Sequence, residues 1–522
     1  MQSELYYPNS SIPEFFNMAE YCIGQQAKHN KNKSALVVIN DPDLSIPPSE
    51  NWTFGELENA ILNVSSGLSD LGLKFGQRLL IRLDNTSTYP ILYFAGIATG
   101  LISIATSNQL TPNEAKFIYS DCSPHAIALS DHLPKEEIPE GVIILRENDI
   151  RAMILNGYRG TYAKTRAQDP AYLLYTSGTT ANPKGVIHAH RVALGRSPTY
   201  QGWYGFKKND IMLHAGAFNW TYTLGTGLID PWANGLTSSI FIGNKDPEVW
   251  PNIIRKSRCT LFAAVPSLFR QILKYTPQGS IELGCLRHGL IAGETPQPNL
   301  FDDWFNRTNT KLYEALGMSE ISTYISTYPG MIRKTGSPGR PQEGRSVAIL
   351  PVEGGTEPLP VGSIGLLAIK RNDPGLMIGY WNRPQEEMEV YRGEWFIGGD
   401  LALMDHEGYI FPKGRANEVM KVLGYRVSPF EVEAVLCQHP DIAEVACTEI
   451  SPRNDIVVIG AFLVAKPGHQ ICENSIDQFL QDKLAPYKRP KEYIYMEKLP
   501  RTSNGKIKRT DLKKFYANLK IY

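Results

Sequence analysis

The chain has 522 residues, of which 42% are hydrophobic, 20% charged and 10% aromatic. This ordinary globular composition excludes disordered, collagen-like and low-complexity proteins, and the length suggests about three domains, or one large and one small domain. Lysine plus arginine and aspartate plus glutamate each number 53, so the formal net charge is zero, which argues against a dedicated nucleic-acid-binding protein.

The N-terminal sequence and the cysteines bear on the cellular compartment. No basic start followed by an apolar core is visible, so we expect no signal peptide. Residues 91–105 form the most apolar stretch, but it is interrupted and shorter than a bilayer span, which predicts a buried helix. The seven cysteines are scattered without a CxxC pair, which is typical of reduced thiols. We predict a cytoplasmic protein without membrane insertion.

Short β-rich runs alternate with helical patterns through the central part of the chain. In chain order the pattern predicts a strand at 172–176, a strand at 260–265, a helix at 266–275, a strand at 289–292, a helix at 297–307 and a strand at 311–316. Such alternation is typical of βα units with largely parallel sheets. We predict a large N-terminal α/β domain over residues 1–416, with helices flanking its β-sheets and several subdomains.

The C-terminal part of the chain follows a different pattern. Ser428, Pro429 and Glu431 have the spacing of a capping box with proline in the first helical position. The predicted elements are a helix at 429–438, strands at 442–448 and 456–464, a helix at 476–484 and a strand at 493–496. This pattern predicts a small α+β domain over residues 417–522.

The strongest local signal is the sequence YTSGTTANPKGV at residues 175–186, directly after a predicted strand. Its glycines let the backbone wrap a ligand closely, its hydroxyl and N–H groups donate to phosphate oxygens, and its lysine adds a positive charge. The common P-loop pattern does not fit, because the lysine precedes the second glycine. A polar surface turn is the alternative. The candidate nucleotide contacts are Thr176, Ser177, Gly178, Thr179, Thr180 and Lys184.

This loop resembles the signature loop of the adenylate-forming superfamily, which includes acyl-CoA synthetases, adenylation domains of peptide synthetases and luciferases. Further motifs follow in the order usual for that superfamily, so the resemblance covers nearly the whole chain. It implies that a carboxylate attacks the α-phosphate of ATP to form an acyl-adenylate and pyrophosphate, and that a thiol then displaces AMP. The implied ligands are ATP, Mg2+, coenzyme A as co-substrate and a small-molecule carboxylic acid.

Two segments of the N-terminal part resemble nucleotide-binding motifs of the superfamily. In YEALGMSE, at residues 313–320, the resemblance implies that Ser319 donates to phosphate and that Glu320 is catalytic and holds magnesium. A carboxylate suits this hard cation. Gly293 and Glu294 resemble the segment that lines the adenine pocket. Taken alone, GMSE could equally begin a helix.

The C-terminal motifs complete the set. Asp400 resembles the aspartate that accepts hydrogen bonds from the ribose hydroxyls, and Arg415 resembles the arginine that contacts ribose or phosphate. Asn417 stands at the hinge position, where aspartate or lysine is usual, and Gly424 would lie beside the tunnel of the CoA thiol. Lys506 resembles the catalytic lysine that reaches the substrate carboxylate and the α-phosphate. The resemblance therefore implies a mobile C-terminal lid that swings between the two half-reactions.

The segment from Phe218 to Trp232 resembles benzoate-type and medium-chain acyl-CoA ligases. The resemblance implies that Asn219, Trp220 and Tyr222 line the acyl pocket, where flat aromatic walls suit an aryl or short alkyl acid. Ordinary core packing is the alternative for each of these residues. The sequence thus predicts an AMP-forming acid–thiol ligase that joins an aromatic or short- to medium-chain acid to CoA.

Two other functions remain open at this point. A stand-alone adenylation enzyme would load the acyl or aryl group onto an acyl carrier protein, because only the accepting thiol differs. A non-catalytic nucleotide-binding sensor would be expected to lose Lys506, Glu320 or Asp400, and this chain retains all three. We expect no nucleic-acid partner, and the sequence is compatible with a monomer or a homodimer.

Overall fold

The computed structural model describes residues 12–134, 138–156, 158–176, 183–416, 418, 420–422, 425–453, 456–481, 483–501 and 507–519. Across these ranges no helix combines the length and the hydropathy needed to cross a membrane. The chain divides into two compact units, of which the first comprises residues 1–346 and 369–396 and the second comprises residues 347–368 and 397–522. The domain border predicted at residues 416 and 417 stays a prediction.

Strands and helices alternate along most of the chain. The strands, in chain order, are β1 Ser34–Ile39, β2 Glu50–Thr53, β3 Arg78–Arg82, β4 Ile102–Ala105, β5 Ala126–Leu129, β6 Ile143–Arg146, β7 Pro170–Thr176, β8 Lys184–Ala189, β9 Ile211–His214, β10 Thr237–Phe241, β11 Leu261–Ala264, β12 His288–Ala292, β13 Lys311–Met318, β14 Ser322–Ser326, β15 Arg340–Pro341, β16 Val347–Leu350, β17 Gly365–Lys370, β18 Gly379–Tyr380, β19 Tyr391–Arg392, β20 Trp395–Met404, β21 Ile410–Arg415, β22 Met420–Val422, β23 Tyr425–Val427, β24 Ile442–Arg453, β25 Ile456–Ala465 and β26 Glu492–Tyr495. The α-helices are α1 Gln25–His29, α2 Phe54–Asp70, α3 Thr88–Thr99, α4 Pro112–Cys122, α5 Glu147–Leu155, α6 Val192–Gly195, α7 Thr221–Leu224, α8 Asp230–Ala233, α9 Trp250–Lys256, α10 Pro266–Tyr275, α11 Leu300–Thr308, α12 Pro384–Glu389, α13 Pro429–Leu436, α14 Glu473–Gln481 and α15 Arg509–Leu519.

The larger sheet of the first unit has the strand order β15-β14-β13-β12-β11-β9-β10-β1-β2. Strands β13, β12, β11, β9, β10 and β1 are parallel. One face of this sheet buries a core that contains Phe262 of β11, Phe269 of α10 and Trp304 of α11, and the last two rings meet edge to face at 4.8 Å. The parallel strands place all their carboxyl ends at one sheet edge, where ligands bind in α/β proteins.

The second sheet of the first unit has the order β18-β8-β7-β4-β3-β5-β6, and helix α3 is buried in the core of the unit. The buried helix predicted for residues 91–105 is only partly right, because α3 ends at Thr99 and residues from Ile102 form strand β4. Gly100 adopts φ of 81°, a left-handed conformation that terminates a helix at low cost. The chain can therefore reverse from helix to strand within this apolar stretch.

The second unit contains the β20–β21 pair, the hairpin β22–β23 and the sheet β24-β25-β26. A further sheet has the order β16-β17-β20-β19. Val432 and Leu436 of α13 pack with Ile476 and Leu480 of α14 in the core of this unit. Together with the α/β first unit, this arrangement confirms the predicted fold class.

Two predicted helices are displaced along the chain. Helix α11 begins at Leu300 rather than at residue 297, because Gln297 precedes a proline and such a residue avoids helical dihedrals. Helix α14 ends at Gln481 rather than at residue 484, and the Arg489 side chain donates to the carbonyl oxygens of Gln481 and Leu484 at 2.7 and 2.8 Å. These bonds satisfy free carbonyls at the helix end.

The capping box predicted before α13 is wrong. Ser428 occupies the N-cap position without a side-chain cap bond. Its hydroxyl donates to the Lys413 carbonyl at 2.5 Å, and the Glu431 carboxylate accepts from Lys488 Nζ at 2.5 Å. Both side chains therefore contact other parts of the unit. The predicted start of the helix at Pro429 is confirmed.

Candidate active site

Three predicted segments meet at the carboxyl edge of the larger sheet. Gly293 and Glu294 follow β12, Ser319 and Glu320 follow β13, and the acyl segment, which we define as residues 214–224, begins at the end of β9. Strands β12 and β13 are direct parallel neighbours, and β11 lies between β9 and β12. The fold thus brings the predicted adenine, phosphate and acyl segments to one edge.

Glu294 has a structural partner at this edge. Gly293 adopts φ of 91°, a left-handed conformation that favours glycine. The Glu294 carboxylate accepts from the Ser267 N–H at 3.2 Å and from the Ser267 hydroxyl at 3.1 Å. Because Ser267 lies in the first turn of α10, this carboxylate caps that helix and complements its dipole.

Glu314 is an ionisable residue of β13 that sequence reasoning did not single out. It lies within β13, and its carboxylate has no hydrogen-bond partner among the residues that the structure describes. Burial raises the pKa of Glu314 to about 8, against a smaller opposing effect of Arg333. The available signal was a carboxyl in the middle of strand KLYEALGM, between Tyr313 and Ala315, since carboxyls with raised pKa values and no partner are candidates for functional sites.

The turn that carries Ser319 and Glu320 is held by three hydrogen bonds. The Ser319 carbonyl lies 2.8 Å from His188 Nε2, and the Glu320 carbonyl accepts from the Met377 N–H at 2.7 Å. The Tyr380 hydroxyl donates to Glu320 Oε1 at 2.8 Å. Burial lowers the pKa of His188 to about 3, so the ring is neutral at physiological pH and donates its single proton to the Ser319 carbonyl.

The phosphate loop is described only at its two flanks. Thr176 ends β7 and pairs with Lys184, which begins β8. Lys184 forms an ion pair with Glu386 of α12, and its Nζ lies 5.5 Å from the centre of the Tyr380 ring. Among the predicted contacts, Ser177, Gly178, Thr179 and Thr180 lie outside the described residues. The structure therefore places Lys184 and Glu320 against the same tyrosine.

The acyl segment combines half-buried and fixed side chains. Asn219 and Trp220 are half-buried. The Tyr222 hydroxyl donates to the Leu290 carbonyl at 2.9 Å, and its ring meets the His214 ring edge to face at 4.5 Å. The Tyr222 side chain is therefore rigidly held, whereas Asn219 and Trp220 keep part of their surface exposed.

His214 and Thr223 add polar atoms to this segment. His214 Nδ1 accepts from the Gly216 N–H at 2.9 Å. Burial lowers the pKa of His214 to about 3, so the ring is neutral and its proton is on Nε2. Neither His214 Nε2 nor the Thr223 hydroxyl has a hydrogen-bond partner within the described ranges. Buried polar atoms are normally satisfied, so these two atoms mark a place where a ligand can contribute.

Asp400 and Arg415 lie together in the second unit. They are register partners on the antiparallel strands β20 and β21. Arg415 Nε lies 2.8 Å from Asp400 Oδ1, and Arg415 Nη1 donates to the Gly398 carbonyl at 3.0 Å. The remaining predicted residues Asn417, Gly424 and Lys506 fall outside the described residues.

Residues 23–381 match the family described as AMP-binding enzyme, and residues 431–506 match the AMP-binding enzyme C-terminal domain. The chain belongs to the family of AMP-binding enzymes. It is 27% identical to a mitochondrial acyl-coenzyme A synthetase of Pongo abelii, over 96% of this chain and 90% of the relative. It is also 27% identical to the benzoate–CoA ligase of Thauera aromatica, over 97% of each chain.

Solved structures extend this likeness to the fold. The crystal structure of an anthranilate CoA ligase in complex with anthranoyl-AMP superposes with a TM-score of 0.86 and 26% identity, over 97% of this chain and 98% of that chain. Together with the family match, these relatives confirm the predicted superfamily and the predicted class of AMP-forming acid–thiol ligases.

Proposed function

We propose that this AMP-binding enzyme joins an aromatic or short- to medium-chain carboxylic acid to coenzyme A through an acyl-adenylate. The observation that carries the proposal is the acyl segment, in which Tyr222 is rigidly held and Trp220 is half-buried, at the same sheet edge as Glu320. Flat aromatic surfaces of this kind suit an aryl or alkyl substituent. The benzoate–CoA ligase and the neighbour solved with anthranoyl-AMP support an aromatic acid.

The nucleotide contacts are proposed from the same geometry. Lys184 and the Ser319 hydroxyl would bind the phosphates, since both charge and hydroxyl donors suit phosphate oxygens. Gly293 would border the adenine, because it follows β12 at the carboxyl edge of the larger sheet. Within the second unit, Asp400 would accept from the ribose hydroxyls beside Arg415.

Magnesium fits the residues present at Glu320. Where the chain is described, no group of three or more histidine, cysteine or acidic side chains could hold a metal ion. Of the two Glu320 carboxylate oxygens, Oε1 accepts from the Tyr380 hydroxyl, and no described residue bonds to Oε2. Magnesium in nucleotide sites typically takes one or two carboxylates and completes its shell with phosphate oxygens and water. Bound there, it would neutralise charge on the triphosphate as pyrophosphate departs.

The chain's own groups divide the reaction into two parts. Lys184 would exchange its ion pair with Glu386 for the triphosphate, and Lys506 would neutralise the charge that develops on the α-phosphate. A swing of the lid about Asn417 would then withdraw Lys506 and open the path beside Gly424 to the thiol. The relatives that are acyl-CoA ligases favour CoA over a carrier protein as the acceptor.

The test is magnesium-dependent exchange of pyrophosphate into ATP over a panel of acids from acetate to decanoate, with benzoates, cinnamates and amino acids. We expect exchange with one class of aromatic or short- to medium-chain acids, and a shift of that preference in Trp220→Ala. Release of AMP with CoA, but not with a carrier protein, would establish the acceptor. Exchange with amino acids alone would overturn the proposed substrate class, and binding of ATP without exchange would favour the sensor.

A further inference from the structure

Tyr380 lies beside both charged groups that the proposed function assigns to the triphosphate. Strand β18 pairs antiparallel with β8, with Tyr380 opposite Val186. The Tyr380 hydroxyl is 2.8 Å from Glu320 Oε1, and the ring centre is 5.5 Å from Lys184 Nζ. The side chain is buried, with 8% of its surface exposed. Neither the phosphate loop nor the segment 313–320 contains this residue.

The main chain around Tyr380 fixes it relative to Glu320. The N–H groups of Ile378 and Trp381 donate to carbonyl oxygens of β8 at 2.8 and 2.7 Å. The Met377 N–H donates to the Glu320 carbonyl at 2.7 Å. The same short segment therefore contacts both the main chain and the side chain of Glu320.

The chemistry of a carboxylate gives this contact a consequence. The Tyr380 hydroxyl occupies Glu320 Oε1, and it leaves Oε2 without a partner among the described residues. A donor on one oxygen fixes the rotation of the carboxylate and presents the other oxygen to a cation, and such outer-shell partners typically change metal affinity about 10- to 100-fold. We propose that Tyr380 is a positioning residue that directs Glu320 Oε2 toward the magnesium of the bound nucleotide. This inference rests on the proposed function of Glu320.

The variant Tyr380→Phe tests the hydroxyl alone, because it keeps the ring that contacts Lys184. The measurement is the dissociation constant of ATP by calorimetry, with Mg2+ and with EDTA, in the absence of acid and CoA so that no turnover occurs. In EDTA we expect Tyr380→Phe to bind ATP with unchanged affinity. We expect the increase in ATP affinity that Mg2+ provides, the magnesium-dependent gain, to be about 10-fold smaller than in the wild type. An equal loss in both buffers would indicate a merely structural role and would overturn the inference, as would an unchanged magnesium-dependent gain.

Two further variants separate this inference from the function on which it rests. In Tyr493→Phe, a hydroxyl that donates to Asp477 Oδ1 at 2.6 Å in the second unit is removed, and we expect no change in either buffer. Glu320→Gln should lose the magnesium-dependent gain, and adding Tyr380→Phe should then cost nothing more. If Glu320→Gln keeps the gain, the proposed role of Glu320 fails. If Glu320→Gln loses the gain but Tyr380→Phe keeps it, only the role of Tyr380 fails.

Discussion

The phosphate side of the candidate site differs from its adenine and acyl side in how the polar groups are partnered. On the phosphate side, Lys184 pairs with Glu386 and Glu320 accepts from Tyr380. Each of these two charged groups already has a protein partner, which is an opposite charge for Lys184 and a hydrogen-bond donor for Glu320. If the proposed contacts are made, binding on this side is an exchange of partners, in which the triphosphate would compete with groups of the chain itself.

On the other side, two buried polar atoms, His214 Nε2 and the Thr223 hydroxyl, make no hydrogen bond with any residue that the structure describes. The half-buried Glu314 carboxylate also lacks a partner among the described residues, and on the phosphate side His188 Nδ1 is in the same position. Leaving a buried polar atom unsatisfied costs about 1–3 kcal/mol, and a ligand that supplies the missing partner recovers this cost. From this comparison we propose that phosphate affinity depends on the displacement of existing protein partners, whereas recognition of the acid depends on hydrogen bonds that the protein leaves open.

The largest effect that we expect is on kcat/KM for ATP, in variants of the Lys184–Glu386 ion pair. We expect Lys184→Ala to lower kcat/KM for ATP by about 100- to 1,000-fold, because it removes a charge from the transition state. Glu386→Gln should do the opposite and lower the KM for ATP a few-fold, since the lysine then has no charged competitor. Pyrophosphate-exchange kinetics measure both. A higher KM in Glu386→Gln would show that the ion pair orients Lys184 rather than competing for it.

An effect of intermediate size is expected on the pH dependence of the free energy of unfolding, through Glu314. Burial raises its pKa to about 8 from an ordinary value of 4.5, so the folded state binds the proton more tightly than the unfolded state. The stabilisation is complete below about pH 4.5 and is lost as the pH rises through 8. Between pH 6 and pH 8 we expect the wild type to lose up to about 3 kcal/mol relative to Glu314→Gln, because each pKa unit is worth about 1.4 kcal/mol.

Urea denaturation at several pH values measures this difference. The variant Glu294→Gln is the matched control, because Glu294 accepts two hydrogen bonds from Ser267. We expect Glu294→Gln to be destabilised but to keep the wild-type dependence of stability on pH above pH 6, because it retains Glu314. Parallel curves for wild type and Glu314→Gln would show that the Glu314 carboxyl does have a partner in solution.

The smallest effect is expected on stability when one of two threonine hydroxyl groups is removed. Thr223→Val removes a buried hydroxyl without a partner, and we expect a change in stability close to zero or slightly favourable. Thr327→Val removes a hydroxyl that accepts from the Glu314 N–H at 2.8 Å, and it should cost about 1 kcal/mol. Thermal unfolding of the two variants provides the measurement. A cost at Thr223 as large as that at Thr327 would contradict the proposed difference between the two kinds of group.

Sequence reasoning found the residues that lie in contiguous motifs. Lys184, Glu320 and Asp400 stand in short patterns whose order carries information, and their roles stay predictions, whereas the prediction of helix α10 is confirmed over its full range. The roles of Tyr380 and His188 could not be predicted, since their contacts with the turn after β13 depend on strand register and on partners that are distant in sequence. Glu314 is visible in the sequence as a carboxyl in a strand, but only the folded structure shows that its side chain has no partner among the described residues.

The divided first unit has a consequence for synthesis on the ribosome. Its residues 369–396 follow a stretch that belongs to the second unit, and they include both Tyr380 and Glu386. A nascent chain that has just released Ser346 therefore carries Lys184 and Glu320 without the side chains that later hold them. Vectorial folding cannot complete the phosphate side until the chain has passed residue 396. A fragment that stops at residue 346 would be an incomplete first unit, so shortened versions of this protein should end after residue 396 at the earliest.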